Sequence, residues 1–217
     1  MYADSERRRL VDRTLRLRRE SWGFALGSAL FALGALPGYG QAVGARWDNL
    51  TYFVGSLFFT AAGLIQFRLS GRPVPGAESH RIERYDWWSA LIQFVGTLLF
   101  NVSTFAAVLA NLDAEQANRW VWRPDIWGSL AFLISSGLAV VATTDTDRLW
   151  DPHARNWRTT WLNMLGSVAF GVSALAAWVD PSSGTVANAR IANLGTFVGA
   201  ICFLVAALLA KPPAPRR

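Results

Sequence analysis

The sequence is poor in the residues that most often carry chemistry. It contains one cysteine, Cys202, and two histidines, His80 and His153, in 217 residues. A single cysteine has no partner within the chain, so an intramolecular disulfide framework is excluded and Cys202 is expected to pack as a small apolar residue. The H-E-x-x-H, G-x-S-x-G and glycine-rich phosphate-loop motifs are absent. We therefore expect neither an enzyme nor a cofactor.

Charge is scarce as well, and its distribution predicts a membrane protein. Charged residues make up 17% of the chain and apolar residues 52%, with a mean hydropathy of +0.23. Six windows contain no Asp, Glu, Lys or Arg: 22–40, 50–67, 87–110, 126–144, 161–179 and 191–210. At about 1.5 Å per residue, a helix over each window would match a hydrocarbon core of roughly 30 Å. This predicts an all-α, polytopic protein with six transmembrane helices. It excludes a secreted disulfide scaffold, a nucleic-acid-binding domain and an enzyme that needs a folded extramembrane domain.

The net charge of +6 is explained by topology. Of the 21 Lys and Arg residues, 17 lie in the N-terminal segment 1–21, the second and fourth loops and the tail 211–217, against 4 in the other three loops. Because positively charged loops stay in the cytoplasm, both termini are predicted to be cytoplasmic. The seven arginines of segment 1–21 have an alternative role in binding anionic lipid headgroups, at about 1 kcal/mol each. All but one of the 21 basic residues are arginine. This bias suits a bacterium with GC-rich coding, and we therefore expect a bacterial inner membrane.

The aromatic residues agree with a membrane location. All 11 tryptophans lie inside a window or within six residues of its edge, as in the belts that indole rings form at headgroup level. The alternative, an aromatic cage for a cation, lacks the clustering that a cage needs. The arginine-rich start followed by an apolar stretch also fits a signal peptide, but residues 42–45 read Ala-Val-Gly-Ala. That is not an A-x-A site, so an uncleaved helix is favoured.

An internal repeat is the most informative pattern in the chain. Every window carries a glycine followed four residues later by a phenylalanine, and the residue after each glycine is small. The pairs are Gly27 and Phe31, Gly55 and Phe59, Gly96 and Phe100, Gly128 and Phe132, Gly166 and Phe170, and Gly199 and Phe203. Chance would give about one such pair for 18 glycines and 13 phenylalanines, so six pairs in register indicate a repeat.

The glycine spacings group the windows into three tandem hairpins, 22–67, 87–144 and 161–210. Glycines of the odd windows recur at 69 and 70 residues, and those of the even windows at 73 and 71. Arg46, Arg119 and Arg190 each stand nine residues before the second glycine of a hairpin. Since each hairpin crosses twice, the copies are parallel repeats. They predict a pseudo-threefold bundle about the membrane normal.

A glycine and a phenylalanine at i and i+4 share one helix face. Lipid gives helices no hydrophobic reason to associate, so close approach at small residues and van der Waals packing must provide it. We interpret each glycine as a notch for a neighbouring helix. The alternative is a ligand groove lined by phenylalanine. Further small-residue steps, from Gly23 to Gly27 and from Gly195 to Gly199, predict contact between the first and last helices or across a dimer.

Residues of the first and fourth windows resemble a known family. The stretch from Trp122, Trp-Arg-Pro-Asp-Ile-Trp-Gly-Ser-Leu-Ala-Phe-Leu-Ile-Ser-Ser, the Gly-Ser-x-x-Phe core of the first window and the short hairpins look like the YrhK-like family of small bacterial membrane proteins. That family is uncharacterised in function. The resemblance implies a two-helix unit, here present three times, and brings no catalytic or binding residues with it.

The windows contain few residues that could take part in catalysis or proton transfer. They contain no ionisable acid or base that would mark a proton relay, which argues against a proton-driven pump. His80 and His153 fall in cytoplasmic loops near Glu78, Glu83 and Asp151. We interpret the histidines as solvated, since a metal site would require the two loops to converge.

Uncharged polar residues inside the windows are the remaining candidates. They are Gln93, Asn101, Ser103 and Thr104 in the third window and Ser135 and Ser136 in the fourth. Counted from the outer window edges, Asn101 and Ser135 are expected at one level. A buried amide must find a partner. Either these groups hydrogen-bond between helices, or Gln93, Asn101, Ser135 and Ser136 line a small polar site.

Two function hypotheses follow. The first is a non-enzymatic structural or regulatory bundle that acts through a partner or as a homo-oligomer. The second is a carrier or channel for a small neutral solute. A continuous polar lining on the threefold axis would distinguish the second from the first. Nucleic acid is not expected as a partner.

Overall fold

The computed structural model describes residues 2–69, 72–109, 112–144 and 155–214. Within these ranges the chain is helical, apart from loops and one isolated bridge between Val179 and Val186. The helices are α1 (Tyr2–Gly34), α2 (Tyr39–Val43), α3 (Ala45–Leu64), α4 (Arg81–Val108), α5 (Ala114–Ala117), α6 (Arg123–Thr144), α7 (Arg155–Ala176) and α8 (Ala189–Ala210). Helix α3 continues as a π-helical turn over Ile65–Leu69, and α5 continues into α6 through another over Asn118–Trp122.

Local sequence explains where several helices start. Asp113 caps α5 by accepting a hydrogen bond from the Gln116 backbone N–H at 2.8 Å, and Gln116 reaches back to the Asp113 backbone in a capping box. Asn188 caps α8 in the same way through the backbone N–H of Ile191, at 3.0 Å. These caps satisfy amide groups that a helix end leaves without partners.

Five helical segments are long and apolar enough to cross a membrane: Ala45–Leu69, Arg81–Val108, Ala114–Thr143, Asn156–Ala176 and Ala189–Ala210. Only 28% to 33% of the residues in their apolar windows are buried inside the protein. Large side chains cover the outside, including Leu175 at 68% exposure and Leu194 at 61%. An apolar surface of this extent is unfavourable in water and suits lipid. The chain is therefore a multi-pass membrane protein.

The first helix differs from the predicted window 22–40. Helix α1 begins at Tyr2, runs through the arginine-rich segment and ends at Gly34. Pro37 has no N–H to continue the helical hydrogen bonding, and Gly38 takes a φ of +90° that favours glycine. A turn at residues 35–38 and the short α2 follow. The apolar part of α1 is thus shorter than predicted, and α1 is not among the five segments above.

Six long helices form a closed ring in the order α1, α3, α4, α6, α7, α8 and back to α1, each packing on two neighbours. Helices α1 and α3 are antiparallel, because Gly23 lies against Ala62 whereas Gly34 lies against Tyr52. The pairs α4 with α6 and α7 with α8 pack most extensively.

Both ends of the described chain lie at one end of the ring, which we call the inner end. Arg18 Nη1 donates to the Pro212 carbonyl at 2.9 Å, and the Lys211 ammonium lies 4.4 Å from the Trp22 ring centre. The opposite, outer end carries the turn at 35–38 and the loop at 177–188. Of the tryptophans, Trp22, Trp47, Trp88, Trp120, Trp127 and Trp178 are exposed near these two ends, whereas Trp150 lies outside the described residues.

Candidate functional site on the bundle axis

The repeated glycines and phenylalanines meet within each helix pair. A Cβ atom at Gly96 would lie 2.8 Å from Cδ2 of Phe132, and one at Gly128 would lie 3.0 Å from Cε1 of Phe100. The same exchange joins Gly27 with Phe59, Gly55 with Phe31, Gly166 with Phe203 and Gly199 with Phe170, at 2.6 to 2.9 Å. Five of these distances are shorter than real Cβ contacts, and the sixth, at Gly128, is at the tight limit. Glycine therefore lets the partner ring lie this close.

The six rings meet at the centre of the helix ring, where we call them the phenylalanine plug. Three come from the first helices of the pairs and three from the second, and all are 1% to 6% exposed. The outer layer is Phe31, Phe100 and Phe170, with ring centres 6.0 to 6.4 Å apart. The inner layer is Phe59, Phe132 and Phe203, at 5.5 to 6.3 Å. Within the pairs the layers contact each other at 5.1 to 5.4 Å, and the plug fills the axis at this level.

The residues after the registered glycines are small and almost completely buried. Their exposure is 1% or less for all six: Ser28, Ser56, Thr97, Ser129, Ser167 and Ala200. Ser56 Oγ is 2.9 Å from Thr104 Oγ1 on α4, so α3 and α4 are joined by a hydroxyl pair. Small side chains here allow the backbones to approach closely.

Most of the predicted polar residues hydrogen-bond between neighbouring helices. Ser135 on α6 donates to the Ser89 carbonyl at 2.8 Å and lies 3.4 Å from Gln93 Oε1. Ser136 Oγ is 2.8 Å from Ser167 Oγ, which joins α6 to α7. Ser103 is buried on α4. Gln93 also lines a cavity toward one end of the bundle.

Asn101 lies at a different level from Ser135, so the expectation of a shared level is wrong. Asn101 Nδ2 donates to Thr60 Oγ1 on α3 at 2.8 Å. Ser135 faces Ser89, which precedes Asn101 by twelve residues in α4, a distance of about 18 Å along a helix. The prediction assumed that the outer edges of the charge-free windows lie at the same height in the membrane. They do not, because helical structure begins at Ala114, well before the window at 126.

A polar cavity of about 200 Å³ lies between the plug and the inner end. Its floor is Phe203 of the inner layer, next to Phe24 of α1. Its polar lining comes from several helices and a loop: Glu20, Ser21, Gln66, Arg72, Gln93, Thr159 and Asn163. Phe24, Gln93 and Asn163 each stand three residues before a registered glycine, which explains why they face the axis at one height.

Glu20 is the acidic group of this inner cavity. Its Oε2 atom is buried and has no hydrogen-bond partner among the described residues. Burial raises the pKa of Glu20 to about 7, although Arg72 lowers that pKa and Asp86 adds to the increase. Arg72 Nε in turn lies 3.3 Å from Asp86 Oδ2. Glu20 is not among the residues predicted from the sequence, because it lies outside the first charge-free window. Its position seven residues before Gly27, two turns away on the same face, was the available signal.

A second, much smaller cavity of about 20 Å³ lies on the outer side of the plug. Asp125, Ser129, Ser173 and Thr196 line it against the outer phenylalanine layer. Its volume suits a single water molecule. Asp125 and Thr196 each stand three residues before a registered glycine, so this layer follows the same register. Asp125 is likewise not among the predicted residues, since it directly precedes the fourth window.

Metal ligands do not gather in the part of the chain that the structure describes, where no group of three or more His, Cys, Asp or Glu side chains is positioned to hold an ion. His80 is the N-cap residue of α4. His153 and Asp151 lie outside the described residues. Cys202 is half-buried on α8.

No protein-family model, curated protein or solved structure matches this chain. The functional interpretation therefore rests on the geometry of the bundle and its axis.

Proposed function

We propose that this chain is a non-enzymatic bundle of six transmembrane helices with a structural or regulatory role in a bacterial inner membrane. The observation that carries this proposal is the phenylalanine plug. Six rings fill the axis, each against a glycine of its partner helix. Close packing of this kind holds helices together in lipid, where the hydrophobic effect does not. An axis that is packed shut at the plug suits a scaffold or a regulatory partner better than a continuous conduit.

We further propose that the bundle consists of three tandem hairpin repeats. In support, each of the pairs α1 with α3, α4 with α6 and α7 with α8 exchanges its two glycines and two phenylalanines in the same way. The sixth crossing is assigned to α1. It packs on α3 and α8 along the ring, and its antiparallel course beside α3 requires the two helices to cross in opposite directions. The resemblance to YrhK-like proteins stays a proposal that agrees with a two-helix unit.

The proposed partners are lipid and protein. The described arginines of α1 lie on the part of the helix that precedes the inner end, where they would contact anionic headgroups if that end is cytoplasmic. They are Arg9, Arg13, Arg16, Arg18 and Arg19. The lipid-facing surface also offers contacts for a second copy or for another membrane protein.

The orientation is tested by labelling single cysteines. Ala77 and Ser183 are both exposed and lie in loops at opposite ends of the bundle. In a Cys202→Ala background, Ala77→Cys is expected to resist a membrane-impermeant maleimide in intact cells, and Ser183→Cys to react, because positive loops are retained inside. Periplasmic labelling of both would contradict two cytoplasmic termini.

The second candidate function is a carrier for a small neutral solute. The observation in its favour is that polar cavities flank the plug on both sides. In this alternative the plug is a hydrophobic gate, and the solute binds in the cavities on either side of it.

Flux through reconstituted vesicles separates the two functions. The structural proposal predicts that glycerol and urea enter vesicles with the protein no faster than empty vesicles. Gln93→Leu should then leave the solute flux unchanged, since no solute passes through the cavity. The matched control is Asn101→Leu, which removes an amide from the same helix but one that bonds to Thr60. Protein-dependent flux that Gln93→Leu abolishes and Asn101→Leu spares would establish the carrier instead.

A further inference from the structure

The inner cavity combines one unpaired acid with uncharged acceptors. Arg72 and Asp86 are the charged groups that act on Glu20, and they are paired with each other at 3.3 Å. Helices α4 and α7 contribute the Gln93, Thr159 and Asn163 side chains, which are neutral. Arg72 also lines the cavity, but Asp86 balances its charge, so the three charges sum to −1 when Glu20 is ionised and favour a cation over an anion.

The kind of cation follows from the volume and the available ligands. About 200 Å³ is far larger than a bare metal ion, and one carboxylate beside amides is a poor set for a divalent metal. Amide and hydroxyl oxygens instead suit a ligand with several N–H donors. The rings of Phe24 and Phe203 in the cavity wall add an aromatic surface for an organic cation.

We propose that the inner cavity binds a small organic cation with several N–H donors, of the guanidinium or ammonium type, with the Glu20 carboxylate as its counter-ion. The cation would donate to Glu20 and to the side-chain oxygens of Gln93 and Asn163. Water would fill the remaining volume. This site goes beyond the structural role proposed above, because occupancy of the cavity does not require passage through the plug.

Binding at this site is coupled to a proton. Glu20 has a pKa raised to about 7 by burial, and the cation needs the ionised carboxylate. The ionised fraction rises with pH, so affinity should be about tenfold higher at pH 8 than at pH 6. At pH 6 each bound cation releases nearly one proton.

The test compares guanidinium with urea, which has the same planar shape but no charge. Titration calorimetry on the full chain in detergent, at millimolar ligand, should show binding of guanidinium and none of urea. Glu20→Gln should weaken guanidinium binding at least tenfold. The matched control Glu83→Gln removes an exposed acid from the first turn of α4 and should leave affinity unchanged. Asp86→Asn frees Arg72 to pair with Glu20, and should also weaken binding.

A cavity-filling variant tests whether guanidinium occupies the cavity itself, because it leaves the charges unchanged. Ala207 is buried in the cavity wall, and Ala207→Leu should block guanidinium while Glu20 keeps its charge. Equal responses to guanidinium and urea, or undiminished binding in Glu20→Gln, would overturn the proposal. Neither result would bear on the flux test, so the site and the structural role fail separately.

Discussion

Phe132→Ala is expected to destabilise the bundle by about 3 to 5 kcal/mol, the range for truncating a buried phenylalanine. Phe132 is 1% exposed, contacts three other rings of the plug and fills the notch at Gly96. Neighbouring helices cannot collapse into the space without breaking the other glycine contacts. The free energy of unfolding in mixed micelles measures the loss.

The matched control for this truncation is Phe105→Ala, on α4. Phe105 is 48% exposed toward the outside of the bundle, where lipid or detergent replaces the lost contacts, so the expected cost is under about 1 kcal/mol. Equal losses for the two variants would mean that the plug does not hold the helices together. Solute flux that appears in Phe132→Ala would identify the plug as a gate and favour the carrier.

Substitution by leucine is expected to destabilise the bundle at Gly199 but not at Gly171. A Cβ at Gly199 would lie 2.6 Å from Cδ1 of Phe170 and 2.9 Å from the Gly166 carbonyl oxygen, which is backbone and cannot rotate away. Gly199→Leu should therefore cost at least about 1 to 3 kcal/mol, as in overpacked cores. Thermal unfolding in detergent reports the change.

Gly171 provides the control on a neighbouring helix. No heavy atom lies within 4 Å of a Cβ at this position, so Gly171→Leu gains helix propensity, worth up to about 1 kcal/mol in soluble helices. Its melting temperature should rise or stay unchanged while that of Gly199→Leu falls. If both variants lose stability to the same extent, the glycine notches are not what brings the helices together.

The sequence predicts the class of the protein well, because charge and hydrophobic length are local properties. The all-helical membrane architecture follows from windows without charge. The i and i+4 spacing of Gly96 and Phe100 places both on one face, and that face is the one that meets α6. The positions of helices relative to one another are harder to predict, since their relative heights depend on contacts between residues far apart in the chain. The wrong prediction that Ser135 is level with Asn101 has this cause.

The two acids on the axis show the same difficulty in another form. Glu20 and Asp125 lie just outside charge-free windows, so composition assigns them to solvated ends. Their orientation depends on helical phase, which the registered glycines Gly27 and Gly128 define. Helix α1 adds a third case, because its end at Gly34 depends on Pro37 and the turn at Gly38, inside a stretch without charge.

The early end of α1 has a consequence for the surrounding lipid. Its apolar helical part, residues 21–34, spans about 21 Å at 1.5 Å per residue, less than a hydrocarbon core of roughly 30 Å. The other long helices do not share this shortfall. Hydrophobic mismatch is then confined to one side of the protein, and the bilayer is expected to thin beside α1. If α1 crosses the membrane as proposed, acyl chain length would thereby act on the side of the bundle formed by α1 more strongly than on the rest.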